Sequence, residues 1–381
     1  MNKTISFLAA AFVLLSCSSA PKQGPTTRFS GVFPDGPMPD SVEIQYWIPT
    51  DTIRPVKTKM IPVVDRRFEG EIPSCVTQFA EVFVPGDIVK FIADGTTLTI
   101  DIETHQVSSS DPEGVQSRYN AWYQEWIDLE HETVSKNYAL KDRAEAGEDI
   151  RDETQALEEE YHQKLVAIHR NAIRQNPDNI VGAFALSALE SSEPKVALSL
   201  VSTLSEEMTQ NATVQALLPT LEARAHTAIG DKFTDFEVMQ DPSDPSSKVK
   251  LSDYVGNGKT ILLVFWASWC EENRKEMPGL KSIYEKYHGD AFDIVSIAVS
   301  DAPENSLAAA KEMGITWNLI VNAQSIPLET YGVRRIPDMI LFGPDGTILL
   351  RNFWGYDDQV LDSIIGRYIR GDRVIQPGVV L

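Results

Sequence analysis

Cysteine is scarce in this sequence, which has three among 381 residues. Three cysteines cannot build the disulfide framework of a small secreted domain. Positive charge is also in short supply, since 34 Lys and Arg residues stand against 55 Asp and Glu residues, for a net charge of −21. So acidic a chain, with no stripe of Lys and Arg, repels phosphate backbones, and we expect no nucleic-acid binding. A content of 43% hydrophobic and 23% charged residues excludes a wholly disordered chain.

Long hydrophobic runs are absent after the N-terminus, so no later segment is expected to span a membrane. At the N-terminus, Lys3 precedes an apolar run from Ile5 to Leu15 that is broken only by Ser6. This run is too short to cross a ~30 Å hydrocarbon core as a helix, but it suits the central region of a signal peptide. The run ends in Leu14-Leu15-Ser16-Cys17, which resembles the lipobox of bacterial lipoproteins.

The lipobox resemblance implies cleavage before Cys17 and acylation of that cysteine. Residues 1–16 are then a signal peptide and residues 17–27 a polar tether, and several acyl chains hold the protein durably on a bilayer. We therefore expect a lipid-anchored membrane protein of the bacterial cell envelope that faces the periplasm. The alternative is an ordinary secretory signal that is cut near Ser19 or Ala20. In either case we expect Cys75 and Cys270 to be the only free thiols of the mature protein, in an oxidising compartment.

Residues 28–107 have the pattern of a small all-β sandwich domain. Short apolar or alternating runs are separated by turn signals: Val42–Ile48, Ala80–Val84, Val89–Ile92 and Leu98–Ile102. The layout resembles the β domain that precedes thioredoxin modules in some Gram-negative lipoproteins. We find no catalytic constellation in it.

Residues 112–230 change to a helical period. Four aromatic residues recur at i, i+3, i+4 and i+7, which indicates a core or interdomain face rather than a ligand site: Tyr119, Trp122, Tyr123 and Trp126. Further helices are predicted over 152–175, 179–189, 195–208 and 212–229.

Metal binding has one candidate pair in the helical region. Glu158 and His162 have the i, i+4 spacing of metal ligands. Because no third convergent ligand is visible, we interpret the pair as a solvated helix face. We expect neither a metal nor a cofactor in this protein.

Residues 231–372 alternate between strands and helices in the order β-α-β-α-β-β-α, which predicts a thioredoxin fold. The expected elements are Ile261–Trp266, Cys270–Tyr287, Phe292–Val299, Ala302–Met313, Met339–Phe342, Thr347–Arg351 and Asp357–Ile369. The first strand is almost continuously apolar, as expected at the centre of a sheet that is covered on both faces. The turn Gly343-Pro344-Asp345-Gly346 predicts an antiparallel hairpin.

The chemistry of the chain is concentrated between the first strand and the first helix of this domain. The stretch Phe265-Trp266-Ala267-Ser268-Trp269-Cys270-Glu271-Glu272-Asn273-Arg274-Lys275-Glu276-Met277-Pro278 resembles the active site of TlpA/ResA-type thioredoxin-like disulfide reductases. Their pattern is W-A-x-W-C-x-x-C-R/K-x-E-x-P. The segment Val333-Arg334-Arg335-Ile336-Pro337 resembles the loop before the cis-proline of that family. Asp231-Lys232-Phe233-Thr234-Asp235-Phe236 resembles its domain opening, without the Gly and Pro.

The resemblance implies roles for six residues. Cys270 is the nucleophile, and a thiol in the first turn of a helix gains thiolate character from unpaired N–H groups and the helix dipole. Glu276 is the second catalytic candidate, because the family uses a carboxylate there to tune proton transfer. The substrate-binding candidates are Trp269, Asn273, Ile336 and Pro337. A cis Ile336–Pro337 bond is expected to expose a peptide edge beside Cys270, on which an incoming chain pairs as a strand.

The second cysteine of the family motif is replaced by Asn273. At i+3 it lies on the same helix face as Cys270, where its amide can donate a hydrogen bond to the thiolate. It cannot resolve a mixed disulfide, which changes the reaction class. Glu271 and Glu272 oppose the helix dipole, because nearby negative charge disfavours the thiolate, so we expect a less acidic thiol than in a typical C-x-x-C site.

Three functions remain open on these residues. The first is thiol–disulfide oxidoreductase chemistry through Cys270 alone, with protein thiols or disulfides of the periplasm as partners. The second is a redox-inactive thioredoxin-fold binding module. The third is a thiol peroxidase. Two residues count against it, because Leu263 and Ala267 occupy the positions at which peroxiredoxins carry Pro and Thr or Ser. Cys75 is either a small buried residue of the β domain or a distant resolving thiol for Cys270.

Overall fold

A computed structural model of the chain describes residues 25–47, 56–351 and 358–370. Cys17 and the predicted signal peptide lie outside the described residues. The chain divides into two compact units, one ending at Ser117 and the other beginning at Arg118. None of the helices within the described ranges is long and apolar enough to cross a membrane.

The first unit contains two four-stranded sheets, with strand orders β4-β1-β7-β8 and β3-β2-β5-β6. The strands are β1 Thr26–Val32, β2 Ser41–Trp47, β3 Val56–Pro62, β4 Arg67–Pro73, β5 Cys75–Val84, β6 Asp87–Ala93, β7 Thr97–Asp101 and β8 Val107–Ser109. Alternate side chains of both sheets share one apolar core, among them Phe29, Ile44 and Phe91. Pairing is antiparallel except between β1 and β7. The β-rich N-terminal region that the alternation predicted is therefore present.

Helices follow the strands, and the first of them begins three residues before the second unit. They are α1 Val115–Glu145, α2 Arg151–Gln175, α3 Ile180–Ser192, α4 Pro194–Leu200, α5 Glu206–Thr209 and α6 Ala212–His226. The aromatic residues of α1 pack on one another and on α2, where the Trp126 ring lies 5.0 Å from that of His169. Trp122 is buried, whereas Tyr123 remains exposed at the margin of the group. The helical middle region is present as predicted.

The single helix predicted over 195–208 is wrong. The segment is divided into α4, a short 3-10 helix over Val201–Thr203, and α5. Ser205 has an extended backbone and caps α5, because its hydroxyl accepts from the Met208 N–H. A serine that hydrogen-bonds locally competes with a continuous helix, and the apolar periodicity does not reveal this competition.

The C-terminal part of the second unit has the predicted thioredoxin-like architecture. Its elements are β9 Glu237–Met239, β10 Lys248–Lys250, β11 Thr260–Trp266, α7 Glu271–Tyr287, β12 Phe292–Ala298, α8 Pro303–Met313, β13 Asn318–Ile320, α9 Ile326–Tyr331, β14 Asp338–Phe342, β15 Ile348–Arg351 and α10 Asp358–Ile369. The main sheet has the order β13-β12-β11-β14-β15. All seven residues of β11 are buried, with one core on each face of the sheet. The predicted hairpin is confirmed, since β14 and β15 pair antiparallel.

The paired three-residue strands β9 and β10 were not predicted, and neither were two elements between α8 and β14. β13 has three residues and pairs in parallel with the edge of β12. α9 has six residues and ends at Gly332, which adopts φ +63°. Both elements are too short to show a hydrophobic period, and α9 carries Pro327 in its first turn. Together they lead the chain to the loop that faces Cys270.

Candidate active site

Cys270 lies at the start of α7, a few residues after the C-terminal end of the central strand β11. Its backbone is extended, with φ −85° and ψ 112°, and it is the N-cap residue of the helix that begins at Glu271. The residue is 5% exposed. Its thiol donates to Glu272 Oε2 at 3.6 Å and lies 3.7 Å from the Ile336 carbonyl oxygen. Cys270 therefore lies between the first turn of α7 and the loop before β14.

The loop in front of Cys270 is fixed by a buried carboxylate. The N–H of Ser268 donates to Asp301 Oδ2 at 2.7 Å, and its hydroxyl donates to Oδ1 at 3.1 Å. Ser306, from α8, donates to the same carboxylate at 2.8 Å. These bonds connect the loop before Cys270 to the segment after β12 and to α8. Sequence reasoning missed Asp301, and the sequence shows no local signal that links it to position 268.

Trp269 provides an exposed aromatic surface next to the thiol. The residue is 64% exposed, although its indole N–H donates to the Ser300 carbonyl at 3.1 Å. The hydrogen bond fixes the ring while its face stays in solvent. An anchored, exposed aromatic ring beside a nucleophile is suited to contact an incoming chain.

The segment before β14 is placed opposite Cys270, as predicted. The Ile336–Pro337 peptide bond is cis. Pro337 is buried and Ile336 is half-buried, and their carbonyl-bearing edge faces the sulfur atom of Cys270. Of the predicted substrate-binding residues, Trp269, Ile336 and Pro337 thus lie around or beside the thiol.

The predicted orientation of Asn273 is wrong. The residue is 1% exposed, and its amide nitrogen donates to the Phe265 carbonyl at 3.5 Å. Its side-chain oxygen accepts from the Ala267 N–H at 3.4 Å. The carboxamide therefore connects the end of β11 to the first turn of α7 instead of serving the thiolate. Backbone groups at this junction need partners, and the amide supplies both a donor and an acceptor.

Two carboxylates on α7 differ in their environments. Glu272 is exposed, and hydrogen bonds from its own backbone N–H and from Cys270 lower its pKa. Glu276 is half-buried, and burial together with the nearby Asp358 raises its pKa. A side chain on Gly279 would strike Asp358, since an added Cβ would lie 1.9 Å from Oδ1. This glycine lets α10 approach α7 on the side that carries Glu276.

The remaining candidates of the sequence lie apart from this site. His162 pairs with Glu193 at 2.8 Å, and burial raises the pKa of Glu158, so the face is less solvated than predicted. No cluster of three metal-ligating side chains occurs in the described part of the chain. Cys75 is half-buried at the start of β5, in the first unit.

These features define a thioredoxin-like domain with a single cysteine at the usual position of its nucleophile. Residues 229–351 match the AhpC/TSA family. The thiol-disulfide oxidoreductase ResA of Geobacillus thermodenitrificans is 29% identical over 121 residues, which cover 32% of this chain and 67% of that protein. ResA of Bacillus subtilis is 25% identical over 142 residues, or 35% and 78% of the two chains.

A solved structure is also similar to this chain. It is the thioredoxin domain of a thiol-disulfide oxidoreductase from Bacteroides vulgatus, with 26% identity and a TM-score of 0.33. The match covers 37% of this chain and 98% of that domain. The strand order and the family match together show that the C-terminal domain is thioredoxin-like, and its sequence is similar to those of ResA-type thiol-disulfide oxidoreductases. The β-rich and helical regions lie outside the family match.

Proposed function

We propose that this protein carries out thiol–disulfide chemistry through Cys270 alone, on protein thiols or disulfides of the periplasm. The observation that carries the proposal is the position of the Cys270 sulfur, at the N-terminus of α7 and 3.7 Å from the Ile336 carbonyl oxygen. An extended substrate segment beside Ile336 brings its own sulfur atom to this thiol. The relationship to ResA-type oxidoreductases supports the same reaction class.

The reaction is an exchange in two steps. The Cys270 thiolate attacks one sulfur of a substrate disulfide, a mixed disulfide forms, and the other substrate sulfur leaves as a thiolate. A thiolate from a second molecule then attacks the substrate sulfur of the mixed disulfide. This attack returns Cys270 as a thiolate and joins the second molecule to the substrate. Electrons therefore pass between two external thiol partners.

Asn273 is the reason for this monothiol mechanism. In a dithiol site the residue at this position supplies the sulfur that releases the substrate. Here the position holds an amide whose two polar atoms are hydrogen-bonded to the backbone of Phe265 and Ala267. The mixed disulfide therefore persists until an external thiol arrives.

A binding module without redox activity is the second candidate function. Two observations favour it: Cys270 is 5% exposed, and its thiol donates a hydrogen bond to Glu272. Both protect the neutral thiol from reaction. Substrate recognition by Trp269 and Ile336 would then be retained without chemistry.

A trapping experiment separates the two functions. The soluble protein is incubated with a peptide disulfide, and intact masses are measured without reductant for wild type, Cys270→Ser and Cys75→Ser. Monothiol chemistry predicts one persistent peptide adduct in wild type and in Cys75→Ser, and none in Cys270→Ser. The absence of adducts in wild type would leave the binding module. An internal bond between Cys75 and Cys270 would contradict the monothiol mechanism.

The variant Asn273→Cys tests the cause of the trap. A second sulfur in the first turn of α7 should release the peptide, because a neighbouring thiolate attacks the mixed disulfide intramolecularly. The adduct should then disappear, and catalytic reduction of the peptide disulfide by dithiothreitol should appear. Asn273→Ser serves as the control, since it also removes the amide but supplies no sulfur.

The proposed location of the protein is the periplasmic side of the bacterial cell envelope. The sequence from Lys3 to Cys17 supports lipid anchoring at the bacterial envelope with the thioredoxin-like domain facing the periplasm. In such a compartment small and protein thiols exchange with disulfides, as the two-step reaction requires.

A further inference from the structure

A buried carboxylate connects the helical region to the loop that faces Cys270. The side chain of Glu190, on α3, is fully buried. Its Oε1 lies 2.9 Å from Arg224 Nε, on α6, and its Oε2 accepts from Arg334 at 2.5 Å. Arg334 lies two residues before Ile336. A single acidic group thus joins two helices to the active-site loop.

Arg224 also holds the beginning of the same loop. Its Nε donates to the Gly332 carbonyl at 2.8 Å. Gly332 adopts φ +63°, and an added Cβ would lie 2.7 Å from the Thr220 carbonyl oxygen. The backbone of the loop therefore approaches α6 more closely than any side chain would permit.

A second buried arginine strengthens this connection from the sheet. Arg351, at the end of β15, donates to the Thr227 carbonyl at 2.6 Å and to the Thr227 hydroxyl at 2.7 Å. The same guanidinium also donates to the Tyr331 carbonyl. Tyr331 ends α9, directly before Gly332. The loop is thus held from the α3 and α6 side and from the sheet.

Such an arrangement is sensitive to geometry. Desolvating charges costs free energy that only well-placed partners repay, and removing one partner leaves an uncompensated buried charge. Asp338, which follows Pro337, adds a further buried carboxyl, and burial raises its pKa. The loop between Tyr331 and Asp338 is thus bounded by buried polar groups at both ends.

We infer that Glu190 is a positioning residue, which acts through Arg334 to hold the loop over residues 332–337 beside Cys270. The helical region then belongs to the substrate-binding apparatus of the thioredoxin-like domain. The inference rests on the proposed function, in which an extended substrate segment lies against Ile336. It goes beyond the family match, which begins at residue 229 and therefore excludes Glu190.

The test compares two reagents on one thiol. Iodoacetamide is small and does not need the loop, whereas a peptide disulfide does. Arg334→Ala should slow mixed-disulfide formation with the peptide about tenfold, because a displaced loop misplaces the substrate. Alkylation of Cys270 by iodoacetamide should change little, and Arg334→Lys should recover part of the peptide rate.

Arg143→Ala is the matched control. Arg143 is an arginine of the same unit with nearly the same side-chain exposure, 42% against 41% for Arg334, and it also pairs with glutamates. It should leave both rates unchanged. An unchanged peptide rate in Arg334→Ala, or an equal fall in both rates, would overturn the positioning role.

Glu190→Gln tests whether Glu190 and Arg334 act together. If Glu190 acts through Arg334, the double variant Glu190→Gln/Arg334→Ala should be no slower toward the peptide than Arg334→Ala alone. Multiplied effects would contradict the inference, since they would mean independent action.

Hydrogen–deuterium exchange distinguishes failure of this inference from failure of the proposed function. Faster exchange over 332–337 in Arg334→Ala, with unchanged exchange in β11, supports the positioning role even if wild type forms no peptide adduct. Unchanged exchange in the loop would overturn it even if wild type forms the adduct. The absence of a wild-type adduct would concern the monothiol mechanism alone.

Discussion

Glu272 is the residue that most directly opposes the reactivity of Cys270. Its Oε2 lies 3.6 Å from the sulfur and accepts a hydrogen bond from the neutral thiol. Once the proton is lost, the carboxylate and the thiolate repel each other. The helix N-terminus acts in the opposite direction and stabilises the thiolate. The reactivity of Cys270 therefore depends on the balance between two effects: the dipole of α7 stabilises the thiolate, and the carboxylate of Glu272 destabilises it.

Replacing Glu272 by Gln should shift this balance toward the thiolate. The amide has no charge, so the alkylation of Cys270 by iodoacetamide at pH 7 should be several-fold faster than in wild type. The gain should shrink at high salt, because Glu272 is exposed and its field is screened. Intact-mass kinetics across a range of pH measure this effect.

Glu271→Gln is the control for the Glu272 variant. Glu271 is also exposed in the first turn, but it pairs with Lys275 at 3.2 Å. Its removal should have a smaller effect on alkylation. If both variants behave alike, or if Glu272→Gln reacts more slowly than wild type, the proximity of Glu272 to the thiol does not control reactivity.

At the scale of elements, the packing of α1 on α2 contains a titratable group in the core. His169, on α2, accepts a hydrogen bond from the indole N–H of Trp122 at 3.2 Å and is buried. Burial lowers its pKa from 6.5 to about 4. The neutral imidazole is therefore the form that fits between the two helices.

The pH dependence of stability follows from this shift. In the unfolded chain His169 becomes protonated as the pH falls below 6.5. In the folded chain it stays neutral until about pH 4. The free energy of unfolding should therefore fall as the pH drops through this window, by on the order of 3 kcal/mol. Chemical denaturation at pH 7 and pH 4.5 should show a smaller fall in His169→Gln, whose amide oxygen still accepts from Trp122.

His131→Gln is the control for the His169 variant, since His131 is an exposed residue on α1. Its pH dependence should match that of wild type. An equal fall in wild type and His169→Gln would show that other groups account for the acid sensitivity.

At the scale of the whole molecule, the features that could be predicted from the sequence are those that depend on residues close together in the chain. The apolar run of β11, the start of α7 near Cys270 and the turn before β15 each depend on neighbouring residues, and each was predicted. Asn273 was placed on the correct helix, but its partners lie on the preceding strand. Glu190 and Arg334 are 144 positions apart, and no local pattern joins them. Contacts of this kind become visible only in the folded chain.

The proposed membrane anchor is also a property of the whole molecule. If Cys17 is the lipidated N-terminus, Cys17→Ala should move the protein from the membrane fraction to the soluble fraction. Mass spectrometry of the N-terminal peptide of wild type should show an acylated Cys17, because several acyl chains are needed for durable anchoring. An unmodified peptide that begins at residue 18 or later would contradict the anchor.

The central claim is that the fold activates Cys270 as a nucleophile, and its reaction rate with a peptide disulfide tests this claim most directly. The rate is measured by intact mass between pH 5 and pH 9, for the folded Cys75→Ser protein and for an unfolded peptide with the sequence of residues 265–275. Activation at the start of α7 predicts that the folded protein reacts faster than the peptide at pH 7 and forms one adduct, at Cys270. A folded protein whose Cys270 reacts more slowly than the peptide and remains unmodified at pH 8 would contradict the claim.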